Sequence, residues 1–391
     1  MFLSSAGRTS AKIPPYSSKL AQLVIARDGH GLKEALRECP LSRDDLTALT
    51  VASVGQFFPL DFLAEFLLYL RSLLVAKNEA GALEALVASV RKVASAHLEE
   101  DWLLPVLIYL TSLARRLATR MDSNSSLKWR TKLVEIFREI FPSLHKERTK
   151  LPATAWLISQ LLALYMSLNQ VKLCAHVLAA LTQSLAREGG FEPNSVPKAV
   201  SVTLFYYWGK FHIMDSKYAD AHAKLQWAYT HCTPHEANRR RIAEYLIPSM
   251  IVLGHFPKRT LEGGLDHFHQ LTTAIQQGNV RQYNRAVNTH MLALAKSGTL
   301  VLMEKCKLLC YRNLVKRIVS VLKALTDDGS KLDLSVFEAV WQFAEDSSKD
   351  EMICALADLI YAGAMKGYLS MEHNKIVLSK VNPFPPIDQI L

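Results

Sequence analysis

The chain has 391 residues, 50% apolar and 21% charged, with only 16 Gly and 15 Pro, which excludes collagen-like, low-complexity and wholly disordered classes. Its 46 Lys and Arg against 36 Asp and Glu leave a formal charge of +10, which favours acidic partners, whether nucleic acid or protein. Six cysteines with no Cys-x-x-Cys pair are too sparse for a disulfide framework and suit a reducing compartment.

Residues 1–27 lack acidic side chains and carry Ser4, Ser5, Ser10, Ser17 and Ser18, a faint transit-peptide signature, but no signal-peptide apolar core follows Met1. The most apolar run, 60–76, contains Asp61, Glu65 and Arg71 and is too short to cross a bilayer, so no membrane insertion is expected. Up to residue 325 the chain reads as helix, with apolar residues recurring at three and four. Turn signals interrupt it at Asp28-Gly29, Pro40, Phe58-Pro59, 78–81, 122–126, 189–197, Asp215-Ser216, Pro234, 254–257 and Gly263-Gly264. The intervening segments of roughly 12–20 residues suit antiparallel helix pairs.

One pair carries a tetratricopeptide-like pattern. Gly209 stands where two helices must approach closely, Phe205 fills the large position four residues earlier, and Ala221, Leu225 and Ala228 follow at second-helix spacing before Pro234. An ordinary helical hairpin has much the same pattern, and either stacks on its neighbours.

The grammar changes after residue 325. Asp327-Asp328-Gly329 is a turn and Lys331-Leu332-Asp333 a short strand. Ser335 with Glu338, and Ser348 with Glu351, have capping-box spacing and each opens a helix; the second is expected to stop near Gly367. Tyr368-Leu369-Ser370, a turn over 371–374, and 375–379 read as a small hairpin, and the closing NPFPPIDQIL segment as an extended tail lying against the domain. Helix, short strand, two helices and a hairpin is the order of a winged helix.

A helical-repeat array running into a winged helix resembles the PCI family of the proteasome lid, the signalosome and translation initiation factor three. Within it the chain is similar to the Thp-type subunits of the nuclear mRNA-export complex, through AHLEEDWLLPVLIYL (96–110), EYLIPSMIVLGHFP (244–257), KLLCYRNLVKRI (307–318), ALADLIYAGAMKGYLS (355–370) and KIVLSKVNPFPP (375–386). The expected layout is an all-α tetratricopeptide-like solenoid over 1–200, then a PCI domain over 201–388, with repeats at 201–305 and a winged helix with a small β hairpin at 306–388. The resemblance implies a non-catalytic subunit that binds a Sac-type scaffold and a small acidic Dss-type protein. It also implies location in the nucleus at the nuclear pore, assembly as a hetero-oligomer, and RNA or DNA contacts from the winged helix. A signalosome- or proteasome-lid-type subunit without nucleic-acid binding is the alternative.

Charge points to candidate contacts. Residues 1–300 carry +11 and the remainder −1, yet 305–323 alone carry +6 and 327–358 carry −7. On a helical wheel Lys305, Arg312, Lys316 and Lys323 fall within roughly 40° of one another. Such a stripe can track phosphates, although a solvated helix face looks the same; the resemblance favours phosphates, with Lys366, Lys375 and Lys380 added from the wing. The third helix, Glu351 to Ala364, lacks the side chains that read base edges and suits protein packing instead. Arg239, Arg240, Arg241, Lys258 and Arg259 are candidates for an acidic partner, or simply solvated helix ends. Cys306 with Cys310, His267 with His269, and His231 with Cys232 and His235 are too isolated to predict a metal. No nucleotide-binding or hydrolase motif occurs, so neither cofactor nor enzyme activity is expected.

Overall fold

A computed structural model describes residues 12–48, 60–96, 101–122, 126–145, 150–185, 191–234, 236–257, 265–325, 331–345 and 347–387. The chain divides into two compact units, 1–207 and 208–391.

The described helices of the first unit are α1 (Ile13–Ile25), α2 (Gly29–Arg37), α3 (Arg43–Ala48), α4 (Asp61–Leu74), α5 (Glu79–Ala96), α6 (Leu104–Met121), α7 (Lys128–His145), α8 (Leu151–Ser167) and α9 (Val171–Leu185). Helix α10 (Lys198–Met214) contains the division between units. Most present one apolar face. In α4, Phe62, Leu63, Phe66 and Leu67 are buried, the i, i+4 spacing that makes an amphipathic stripe. Helix α8 differs, because every residue from Ala153 to Tyr165 is buried. Most of its polar groups are correspondingly paired: the Trp156 indole donates to Thr111 Oγ1 at 2.9 Å, Ser159 to the Ala155 carbonyl at 2.8 Å, and Gln160 Oε1 accepts from Arg115 Nε at 2.8 Å, while the buried Gln160 Nε2 has no partner among the described residues.

The second unit continues with α11 (Tyr218–His231), α12 (Glu236–Val252), α13 (Asp266–Gln277) and α14 (Val280–Ser297). Gly209 packs on α11 as its repeat position requires. A Cβ there would lie 2.6 Å from Leu225 Cγ and 3.2 Å from the Ala221 carbonyl oxygen, and Ala221, Leu225 and Ala228 are fully buried. The unit ends in the winged helix: α15 (Leu300–Leu325), β1 (Lys331–Asp333), α16 (Leu334–Glu345), α17 (Lys349–Tyr361), β2 (Gly367–Ser370) and β3 (Lys375–Leu378). The strands form an antiparallel sheet in the order β1-β3-β2, with Leu332 opposite Ile376 and Tyr368 opposite Val377. Its inner face supplies Leu332, Ile376 and Leu378 to a core shared with Val315, Val319, Phe337, Trp341, Met352, Leu356 and Leu359. Burial of each such large side chain contributes about 1.5–3 kcal/mol.

Two local expectations are corrected. Ser335 and Glu338 do not form the cap of α16: Asp333 accepts from the Ser335 amide at 2.8 Å and from its hydroxyl at 2.7 Å, so the strand's last residue does the capping. Helix α17 ends six residues before Gly367, and Gly363 (φ +71°) makes the left-handed exit. Gly367 instead starts β2, where a Cβ would fall 2.3 Å from the Val377 carbonyl oxygen. The Ser348–Glu351 capping box is present with both reciprocal bonds.

Candidate nucleic-acid interface on the winged helix

Helix α15 positions the predicted stripe, and the folded chain splits it. Lys316 and Lys323 are exposed. Lys305 reaches the α11 hairpin, donating to the Tyr218 hydroxyl at 2.9 Å and to Ser216 Oγ at 3.3 Å. Arg312 departs from the stripe altogether. It is 5% exposed, and its guanidinium donates to the main-chain oxygens of Pro385 at 2.6 Å and Phe384 at 3.4 Å. The proline-rich tail thus lies against the domain, and Arg312 is removed from the candidate phosphate contacts because the tail covers it. A wheel gives the direction of a side chain but not what arrives from 73 residues downstream.

The tail is held at further points. The Lys366 amide donates to the Pro383 carbonyl at 2.8 Å, Phe384 packs on the winged-helix core, and Ile387 sits where a Cβ on Gly254 would be 2.6 Å away. The Lys366 side chain remains exposed, as do those of Lys375 and Lys380. Strand alternation places Lys331, Asp333, Lys375, Val377, Tyr368 and Ser370 on the outer face of the sheet. Lys375 is directly opposite Asp333, whose carboxyl is held low by its bonds from Ser335 and, secondarily, by Lys375 and Lys349. That pairing partly neutralises Lys375, whereas Lys316, Arg317, Lys323, Lys366 and Lys380 form no ion pair among the described residues.

The outer face of α17 exposes Asp350, Glu351, Cys354, Ala357, Asp358 and Tyr361, the last 94% exposed. This surface is acidic and apolar, without a side chain suited to base edges. Behind it, Glu345 on α16 collects Asn284 from α14 at 2.9 Å, Tyr311 from α15 at 2.5 Å and Lys307 from α15. Burial raises the Glu345 carboxyl pKa, but those donors outweigh it and hold the group below the ordinary range.

Elsewhere, Arg239, Arg240 and Arg241 stand exposed on the first turns of α12. Arg239 lies 4.7 Å from the Tyr229 ring centroid and Arg240 is 3.9 Å from Glu244. Lys258 and Arg259 lie outside the described residues. Cys306 and Cys310 are fully buried, and burial pushes the Cys310 thiol up to about 12 and Cys306 higher still. His231 stacks on Trp227, and His235 is outside the described residues. No cluster of three metal-ligating side chains occurs among the described residues, and no described helix is long and apolar enough to cross a membrane.

No family profile matches the chain. Whole-chain relatives do: PCI domain-containing protein 2 of Xenopus laevis is 32% identical over 348 residues, covering 83% of this chain and 84% of that protein. The chain belongs to the PCI-domain family. The Danio rerio protein of the same name is 31% identical over 322 residues, 78% of each chain. Protein CSN12 homolog of Debaryomyces hansenii is 27% identical over 255 residues, covering 59% of this chain and 58% of its own. The helical repeats and C-terminal winged helix are the PCI architecture, and these relatives support a PCI structural subunit. PCI-domain proteins are generally non-catalytic scaffold subunits.

Proposed function

We propose that this PCI-domain protein is a scaffold subunit of a transcription-coupled mRNA-export complex at the nuclear pore, binding a Sac-type scaffold and a small acidic Dss-type protein. Its winged helix contributes to a nucleic-acid surface. The observation that carries this reading is the set of exposed cations Lys316, Arg317, Lys323, Lys366 and Lys380 on one small domain, which form no ion pair among the described residues. Fixed ammonium and guanidinium groups on a rigid frame release counterions from a phosphate backbone without reading sequence. The acidic and apolar face of α17 suits a protein partner, which fits docking of the scaffold there. Arg239 to Arg241 are offered to the acidic protein.

The test joins a pull-down from nuclear extract to an RNA-shift titration across salt. A Sac-type scaffold recovered together with salt-sensitive RNA binding is the expected result. Neutralising Lys316, Lys366 and Lys380 should lower the salt slope by roughly 0.7–0.9 for each phosphate left without its cation. Recovery of signalosome or proteasome-lid subunits without RNA binding would replace this reading with that of a purely structural PCI subunit, for which the α17 face is the supporting observation.

A further inference from the structure

Helices α13 and α14 border an open groove of about 380 Å³ lined by Ala286 and by the polar residues Gln270, Asn279, Arg281, Gln282, Arg285 and Thr289. Each of these polar side chains can donate a hydrogen bond, and none of the lining residues is acidic. The bias extends along the chain: residues 267–303 contain no Asp or Glu at all, while Arg281, Arg285 and Lys296 are exposed. A solvated helix face ordinarily interleaves both signs, as i, i+4 pairing favours. A helical segment that carries no acidic side chain over 37 residues is suited to a polyanion, and the Glu345 carboxylate that reaches it from α16 at Asn284 is already bonded to Lys307 and Tyr311.

An aromatic ring stands beside this groove. Phe343, on α16, is 75% exposed, and the Arg281 guanidinium lies 4.9 Å from its ring centroid while donating to the Phe343 main-chain oxygen. A large apolar side chain so exposed is not serving the core. Held next to a cation, it offers a π-face that a base can stack on, with guanidinium groups to meet the adjoining phosphates. The groove also abuts the first helix of the winged helix. Gly278, in the turn between α13 and α14, is left-handed (φ +63°) and sits so close to α15 that a Cβ would be 2.5 Å from the Leu314 amide nitrogen. The Asn279 end of the groove therefore abuts α15 at Leu314, one turn from Arg317 on the same side of that helix, whereas Lys316, about 200° round from Leu314, faces away.

We propose that the α13–α14 groove with Phe343 is a binding site for single-stranded RNA, in which Phe343 stacks on a base and Arg281 and Arg285 hold flanking phosphates. The site extends the winged-helix surface and rests on the nucleic-acid role put forward above. An acidic peptide would satisfy the two arginines but would gain little from the exposed ring, which is why a single strand with unstacked bases is preferred.

The experiment measures anisotropy of a labelled single-stranded oligouridine with the full chain over a salt series. Phe343→Leu should weaken binding roughly ten-fold at every salt concentration with the slope unchanged, and Phe343→Tyr should restore it. Arg285→Gln should lower the slope by about 0.7. Both side chains are exposed, so unchanged thermal melts will show that the variants fold. Duplex RNA, whose bases are already stacked, should not respond to Phe343→Leu. If both variants bind as the parent does while Lys316→Gln and Lys380→Gln weaken binding, the groove proposal is overturned and the winged-helix role stands. If the parent chain binds no RNA at low salt, the nucleic-acid role itself fails. Binding of polyglutamate with the same sensitivity to Phe343→Leu would also overturn the proposal, in favour of an acidic protein.

Discussion

Five cations of the first unit and five of the winged helix meet different surroundings. In the first, cations bridge helices to carboxylates: Lys92 with Glu65, Arg120 with Glu79, Lys132 with Glu84, Arg91 with Glu139 and Arg130 with Asp122, all within 2.6–2.8 Å. In the winged helix of the second, Lys307 is paired with Glu345 and Lys349 lies near Glu338, whereas Lys316, Arg317, Lys323, Lys366 and Lys380 have no such partner among the described residues. Net charge alone points away from the winged helix, since residues 1–300 carry +11 and the rest −1. A charge already spent on a neighbouring helix says little about ligands, so the location of uncompensated cations is the more useful quantity.

The sharpest way to break the comparison is to remove the half-buried Lys307–Glu345 pair on the winged-helix side. Glu345→Ala would strand Lys307 and free Tyr311 and Asn284, which tie α15 and α14 to α16. Leaving a half-buried ammonium without its partner should cost about 3 kcal/mol, read as a lower urea midpoint. A cost of less than a third of that would show that solvent already screens the pair.

Next in size is the buried cation-carboxylate pair of the first unit. Asp122, with no side-chain exposure, accepts from the amides of Trp129 at 2.9 Å and Arg130 at 3.0 Å, and from Arg130 Nε at 2.8 Å. It ties the start of α7 from seven residues upstream. Burial raises its pKa, but these bonds prevail and lower it. Asp122→Ala should cost about 1–2 kcal/mol. Because the folded value is depressed, the stabilisation is complete above the unfolded value near 3.9 and is lost as pH falls through the folded one, so the variant and parent should converge in strong acid.

Acidification should also separate the units at a milder pH. Three histidines of the second unit have pKa values lowered chiefly by burial: His212, His222 beside His255, and His267 beside His290. Protonation then favours the unfolded chain, so stability is retained above the unfolded value of about 6.5 and declines as pH drops from there toward the folded values. Hydrogen exchange should show amides of the second unit losing protection below about pH 6.5 before those of the first, where Asp122 responds only below about pH 4. Simultaneous loss would mean that the histidines contribute nothing.

The sequence is most informative where chemistry is local. The three strands, the Ser348–Glu351 capping box and the close packing at Gly209 each depend on residues a few positions apart or on the absence of a side chain, and they are legible for that reason. The Asp333 cap is not, because Ser335 with Glu338 satisfies the same spacing rule and only the chain path decides between them. Arg312 is misread for a longer-range reason: its partners are carbonyls of the tail. The α13–α14 groove leaves a trace in the acid-free run at 267–303, but a run of missing residue types is easily passed over when motifs are sought by what they contain.

The smallest expected effect bears most directly on the difference between units. Arg91 and Glu139 are 48% and 62% exposed, and Lys132 and Glu84 are 44% and 61% exposed. Screening and the entropy of holding long side chains leave such pairs worth about 0.5 kcal/mol or less. Arg91→Ala with Lys132→Ala should therefore barely shift the melting midpoint, and Lys316→Ala with Lys380→Ala should shift it no more. Stability cannot tell the two sets apart, but a polyanion can. A phosphate approaching Arg91 must displace Glu139 at 2.6 Å, whereas one approaching Lys316 meets no paired carboxylate among the described residues. The first double variant should leave RNA affinity and its salt slope unchanged, and the second should reduce both. Equal reductions would mean that the carboxylates of the first unit do not shield their partners, and the contrast between paired and unpaired cations would lose its functional meaning.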